Sequence, residues 1–132
     1  MIQEPSIAPI RIAELSKGYA GAQSNLGFKY ASGLGIPQDD AEAMRLYRLA
    51  ADQGYAGAQV NLGVAYDNGE GVLQDYVEAH MWYNLAASRS AGENRETAVS
   101  LRDLIAEELT PDDLSEAQRL AREWNTAHPR EP

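Results

Sequence analysis

The stretch GYAGAQSNLG at residues 18–27 returns almost unchanged as GYAGAQVNLG at residues 54–63, an offset of 36 residues. The same offset relates Gly33 to Gly69, and the match runs through the two whole segments 18–53 and 54–89. Chance does not produce agreement at so many unlike positions. The chain therefore contains two tandem copies of one structural unit.

The first half of each unit has the spacing of an amphipathic helix. Ala22, Leu26 and Tyr30 recur at steps of four, which places them on one helical face. Gly33 and Gly35 follow and are expected to end the helix in a Gly-x-Gly loop. We refer to this first helix of a unit as helix A.

The second half of each unit predicts another helix, helix B. Asp39 stands at the expected N-cap with Glu42 three residues later, and Asp75 with Glu78 repeats the arrangement. An Asp side chain can accept from a free backbone N–H there while the Glu reaches back, as in a capping box. An apolar stripe follows in both copies, formed by Ala43, Leu46, Tyr47, Ala50 and Ala51 and by Ala79, Trp82, Tyr83, Ala86 and Ala87.

A single antiparallel helix pair leaves one side of each helix in water, so the pairs must stack to bury their stripes. We therefore predict an all-α fold, a right-handed α-solenoid of stacked antiparallel helix pairs. Small residues on the contact faces would let the helices approach closely. Gly27 and Gly63 are interpreted as packing glycines, with a hinge as the alternative.

The order A-x-A-Q-x-N-L-G-x-x-Y, then G-x-G, a capping Asp, a Tyr and an Ala-Ala pair resembles the Sel-1-like repeat family, a relative of the tetratricopeptide repeats. The resemblance covers 18–89. A true tetratricopeptide unit is the alternative, since L-G-x-x-Y fits at Leu26. However, Gln23 and Gln59 stand where its Trp would be, and the period is two residues too long.

The segments outside the repeats follow another pattern. Thr110 is a candidate N-cap with Pro111 at the first helical position and Asp113 at the third, in a segment TPDDLSEAQRLAREW that resembles the C-terminal ending of bacterial family members. The predicted organisation is an N-terminal segment with a short helix at 1–17 (Ile10, Ile12, Ala13, Leu15), repeat 1 at 18–53, repeat 2 at 54–89, a degenerate capping helix pair at 90–127 and a disordered tail at 128–132.

The amino-acid composition disfavours some classes of binding partner and leaves the compartment open. The chain has 20 acidic and 11 basic residues and a formal charge of -9, which disfavours phosphate backbones and anionic lipid. We expect no nucleic-acid partner and no membrane insertion. The start has no basic n-region and no uninterrupted apolar run, and the compartment stays unknown: cytoplasmic as written, or periplasmic if a leader has been trimmed. The absence of cysteine fits either compartment.

No catalytic or metal-binding pattern stands out. His80 and His128 are the only histidines, and His80 is interpreted as an exposed or interface helix residue. The chain lacks G-x-S-x-G, and it lacks S-x-x-K, which matters because some family members are linked to penicillin binding. The segment DNGEGVLQD at 67–75 fails the EF-hand pattern because Gly69 and Gly71 take ligand positions. We expect no catalytic residue, no metal and no cofactor.

The outward positions of helix A remain as the candidate binding surface. The resemblance implies that helix A lines the concave side of the solenoid, where an apolar groove would accept a helix or an extended peptide. The prediction is a non-catalytic adaptor for another protein. Alternatives are a cell-envelope hydrolase or penicillin-binding protein, a self-assembling homo-oligomer, or a surface covered by neighbouring helices or a terminal segment. The predicted partner-binding residues are Ser24, Phe28, Ala31, Val60, Val64 and Asp67.

Overall fold

The computed structural model describes residues 19–130, and within that range the chain forms six α-helices and no strand. The first five helices pack in succession, each on the one before it, and the sixth packs on the fourth. The six helices are α1 (Ala20–Ser32), α2 (Asp40–Ala51), α3 (Ala56–Asn68), α4 (Tyr76–Ser88), α5 (Gly92–Ala106) and α6 (Pro111–Ala127). Helices α1 and α2 make up the first repeat, and α3 and α4 the second.

The predicted N-caps of the B helices are confirmed. The Asp39 carboxylate accepts from the backbone N–H of Glu42 at 3.0 Å, and Asp75 accepts from the N–H groups of Val77 and Glu78. Thr110 likewise accepts from the third helical residue of α6 at 3.1 Å. Each cap satisfies a donor that the first helical turn leaves free.

The prediction that the Glu side chain accepts from the backbone N–H of the N-cap residue, as in a full capping box, is wrong. The backbone N–H of Asp39 donates to the carbonyl of Tyr30 at 2.9 Å, and that of Asp75 donates to the carbonyl of Tyr66 at 2.9 Å. Because this N–H already has a partner on helix A, Glu42 is not needed there. The same backbone bond ties the two helices of each repeat together.

The Gly-x-Gly loops fix how each chain segment leaves helix A. Gly33 and Gly69 have φ values of 70° and 73°, in the left-handed region that favours glycine. The loop then folds back, and the side-chain amide of Gln38 donates to the carbonyl of Ala31 at 3.1 Å. Gln74 repeats this contact in the second unit.

Gly27 and Gly63 are packing glycines, as predicted. A Cβ on Gly27 would lie 2.9 Å from Cε1 of Tyr47, and one on Gly63 would lie 2.5 Å from Cδ1 of Tyr83. The ring of a tyrosine from helix B of the same repeat therefore packs directly on each glycine. Any side chain at these positions would push the two helices apart.

The same repeated face has different burial in the two A helices. In α3, Leu62 is 0% exposed, because the first repeat packs over it. In α1, the equivalent Leu26 is 43% exposed and Ala22 is also exposed. The short helix predicted before residue 18, which was expected to cover this face, lies outside the described residues.

Helix α5 takes the place of helix A in a third unit, although the repeated phrase is lost there. It begins at Gly92, 36 residues after the start of α3 at Ala56. It packs on α4, and Ala98 is completely buried at the position equivalent to Leu62. The prediction that a helix continues the stack is confirmed.

Helix α6 departs from the antiparallel pairing that the sequence predicts for 90–127, because it packs mainly on α4 and not on α5. Val99 lies 36 residues after the packing glycine Gly63, and Arg119 lies 36 residues after Tyr83, whose ring packs on that glycine. The close approach of helices A and B is therefore lost. Trp124 instead packs edge-on against Trp82 of α4, with ring centroids 6.1 Å apart.

The sequence predicts a disordered C-terminal segment at 128–132, but the described part of this segment makes specific contacts. The ring of His128 stacks on Trp124 at a centroid distance of 4.0 Å, and Arg130 donates to the carbonyl of Ser88. The guanidinium of Arg89 lies 4.8 Å from the centroid of the Trp124 ring. These contacts place the segment against the end of α4.

Candidate functional site: a groove along the A helices

Two adjoining pockets form a groove along α1 and α3, which α5 extends. The larger pocket has a volume of about 700 Å³ and the smaller one about 260 Å³. Phe28 and Asn61 line both pockets, so the two adjoin each other at these side chains. We call the combined feature the groove.

The structure brings five of the six predicted binding residues to this groove. Ser24 and Val60 line the larger pocket, Ala31 and Val64 line the smaller one, and Phe28 lines both. Phe28 is the most accessible of them, with 53% of its surface exposed. A large apolar side chain therefore projects where the two pockets meet.

Asp67 lies apart from the groove. It lines neither pocket, and its carboxylate accepts a hydrogen bond from the hydroxyl of Tyr83 at 3.2 Å. Burial, followed by the charge of Asp67, raises the pKa of Tyr83 well above its usual value, so the phenol remains the donor. Asp67 thus holds the tyrosine that packs on Gly63.

The predicted outward exposure of the other positions holds only in part. Ser24 is only 4% exposed, and Val60 and Val64 are half-buried. Both valines pack against a cluster that includes Tyr83 and Ile105. Helix α5 covers part of the face that the helical wheel of α3 alone would leave open.

Sequence reasoning missed the asparagines of the groove. Asn25 and Asn61 occupy equivalent positions in the repeated phrase, and both line the larger pocket. Neither side chain forms a hydrogen bond with another residue of the described range. By contrast, Gln59, another repeated polar residue, is fully buried and donates to the carbonyl of Ala51 at 3.2 Å. The sequence signal that could have identified these asparagines is their repetition at the same position of the two units.

The two ends of the groove carry opposite charge. Arg89 is the one charged side chain among the described residues that line the larger pocket, whereas Asp40 and Glu70 line the smaller one. Burial, with further contributions from Glu70 and Asp40, raises the pKa of Tyr47 in the smaller pocket. Burial and the neighbouring Arg130 lower the pKa of Arg89. The two pockets therefore carry charged side chains of opposite sign.

His80 lies away from the groove and is 4% exposed, so it is an interface residue and not an exposed one. Burial, followed by the charge of Arg102, lowers the pKa of His80. Among residues 19–130 no group of three or more His, Cys, Asp or Glu side chains could hold a metal ion. No helix in this part of the chain is long and apolar enough to span a bilayer.

The fold and the groove define a helical repeat protein built as an all-α solenoid. A family model for the Sel1 repeat matches residues 20–55 and 56–90, more than half of the chain. The chain belongs to the Sel1 repeat family. Members of this family are generally protein-interaction scaffolds, and their fold is typically non-enzymatic.

Two solved structures are similar to the chain. One is a protective antigen present in uropathogenic Escherichia coli strains that displays an SLR fold, with 31% identity and a TM-score of 0.78 over 88% of this chain and 24% of its own. The other is a Sel1 repeat protein from Oxalobacter formigenes, with 32% identity and a TM-score of 0.61 over 80% of this chain and 44% of its own. The chain thus spans less than half the length of either. No curated protein matches it.

Proposed function

We propose that this chain is a non-catalytic interaction module that binds a segment of another protein in the groove. The observation that carries the proposal is the pair Asn25 and Asn61. The two side chains are repeated at equivalent positions, face the same pocket and have no hydrogen-bond partner among the described residues. A partner that enters the groove would supply that hydrogen bonding.

The apolar surface of the groove supports the same function. Phe28 is more than half exposed, and Tyr55 is 40% exposed on the wall of the larger pocket. Apolar surface that leaves water on binding contributes about 25 cal/mol per Å² before the costs of association. Aromatic anchors surrounded by polar groups are typical of protein-binding surfaces.

A selection from a random peptide library displayed on phage tests this function. The protein is compared with Phe28→Asp and with the matched control Leu73→Asp, which also places a carboxylate on an exposed apolar position. Leu73 is 90% exposed and lines neither pocket. Both variants are first checked for the helical circular dichroism and melting temperature of the unchanged protein.

The native protein and Leu73→Asp should enrich the same peptides, and Phe28→Asp should lose them. Enrichment of the same peptides by all three proteins would show that binding takes place elsewhere. If no peptide is enriched by the native protein, the proposed function is wrong.

A further inference from the structure

Arg89 keeps an uncompensated positive charge at the larger pocket. Its guanidinium donates to the side-chain oxygen of Asn125 at 3.2 Å and to the carbonyl of His128 at 3.1 Å, and it lies over the ring of Trp124. These partners are neutral, so they fix the side chain without cancelling its charge. Arg130 and Asp52 line an adjoining pocket of about 310 Å³ together with Arg89, and no ion pair between described residues joins Asp52 to either arginine.

The carboxylates at the other end are equally uncompensated. Asp40 has a neutral neighbour, the side-chain amide of Gln38 at 3.4 Å, and Glu70 is exposed. No ion pair between described residues involves Asp40, Glu70 or Arg89. The groove therefore presents separated charges of opposite sign with Phe28 between them.

The asparagines favour an extended occupant over a helical one. The backbone N–H and C=O groups of a helix are used within the helix, whereas an extended peptide leaves them free. Asn25 and Asn61 each carry one amide donor group and one acceptor oxygen, without a described partner. Side chains of this kind along the path of an extended chain can bond its backbone whatever its sequence.

We infer that the groove binds an extended peptide with an apolar side chain at Phe28, an acidic group on the Arg89 side and a basic group on the side of Asp40 and Glu70. This inference rests on the proposed function and specifies its ligand. Complementary charge at both ends fixes the register of the peptide and disfavours peptides of uniform charge.

The test begins with the peptides that the native protein enriches in the phage selection. Those that require Phe28 should carry an acidic residue on one side of an apolar residue and a basic residue on the other. One such peptide is then synthesised with a fluorescent label, together with two analogues in which its acidic residue becomes Gln or its basic residue becomes Gln. Affinities are measured by fluorescence anisotropy at low and high salt.

Each analogue should bind the native protein about two- to fivefold more weakly at low salt, the range expected for an accessible ion pair, and the difference should shrink at high salt. Arg89→Gln should weaken the parent peptide but not the analogue without the acidic residue. The double variant Asp40→Asn, Glu70→Gln should show the reverse preference. Arg122→Gln, which removes an exposed arginine outside the groove, should change neither.

The two peptide analogues are measured on the native protein, so the test survives even if Arg89→Gln fails to fold. Groove-dependent peptides without a charge pattern, or analogues that bind as well as the parent, would overturn this inference and leave the proposed function standing. Displacement of the parent peptide by a synthetic peptide of residues 1–17 would also overturn it, in favour of the chain's own segment as the occupant. If the selection enriches no groove-dependent peptide, both proposals fail.

Discussion

The guanidinium of Arg95 donates to the carbonyl of Ala87 at 2.8 Å, as the amide of Gln59 donates to the carbonyl of Ala51. Arg95 and Ala87 lie 36 residues after Gln59 and Ala51, so one contact between layers occurs twice with different side chains. The end of each B helix leaves carbonyls without a helical partner, and the next A helix supplies a donor. The contact between layers is therefore present after the second repeat, where the repeated sequence is no longer found.

Removal of this donor should cost more in the interior than at the end of the stack. Gln59→Ala truncates a fully buried side chain and removes one of two hydrogen bonds to the carbonyl of Ala51, which also accepts from the backbone N–H of Gly54 at 2.9 Å. This change should lower the free energy of unfolding by about 1–3 kcal/mol. Arg95→Ala should cost less, because water reaches the exposed Arg95 site. Urea denaturation of the two variants checks this order. Equal losses would show that the carbonyl at Ala87 is no more accessible to water than that at Ala51.

Gly63→Ala should destabilise the protein in spite of the better helix propensity of alanine. The new methyl group would meet the fully buried ring of Tyr83, and overpacking of this kind typically costs about 1–3 kcal/mol. Gly27→Ala meets Tyr47 at a longer distance and should cost less. Thermal and urea unfolding compare the two. A stabilised Gly63→Ala would mean that Tyr83 moves aside easily.

Leu62→Ala and Leu26→Ala change equivalent positions of the two repeats. Leu62 is completely buried, and its truncation should cost about 2–5 kcal/mol. Leu26 is 43% exposed, so its truncation should cost less than half as much. Urea unfolding measures both variants. Equal costs would indicate that another part of the chain or a second copy covers α1 in solution.

The stability of the protein should fall as the pH drops below about 6.5 because of His80. Burial lowers the pKa of His80 in the folded state, so the unfolded state takes up a proton first and is stabilised relative to the folded state as the pH falls. Arg102 lowers this pKa further, whereas Asp103 raises it. His80→Gln should reduce the pH dependence between about pH 7 and pH 5, measured as the urea midpoint.

Two comparisons separate His80 from the other titrating groups. His128→Gln removes the second histidine, which lies at the end of α6, and should leave the effect of His80 in place. Burial raises the pKa of Glu78, so the contribution of this carboxyl to protein stability has the opposite pH dependence. That contribution is lost as the pH rises through the raised pKa. Only the difference between the native protein and His80→Gln reports on His80. Parallel pH curves for these two proteins would contradict the assignment.

The sequence by itself determined the features that depend on period and on local chemistry. Repetition at 36 residues gave the helix pairs, and Asp39 and Asp75 cap their helices because a cap needs only neighbouring backbone. Gly27 and Gly63 could be interpreted as packing glycines because a helix face with no side chain invites a close partner. Most of the predicted groove followed from the same periodicity, since outward positions of helix A share one side.

Only the tertiary structure decided which faces are covered and which polar groups find partners. Leu26 and Leu62 are equivalent in sequence, yet their burial differs because a described layer packs over only one of them. The position of α6 on α4, the burial of His80 and the hydrogen bond that holds Asp67 all depend on side chains from other helices. Burial is a property of neighbours, and a periodic pattern shows which face needs a neighbour without showing which element supplies it.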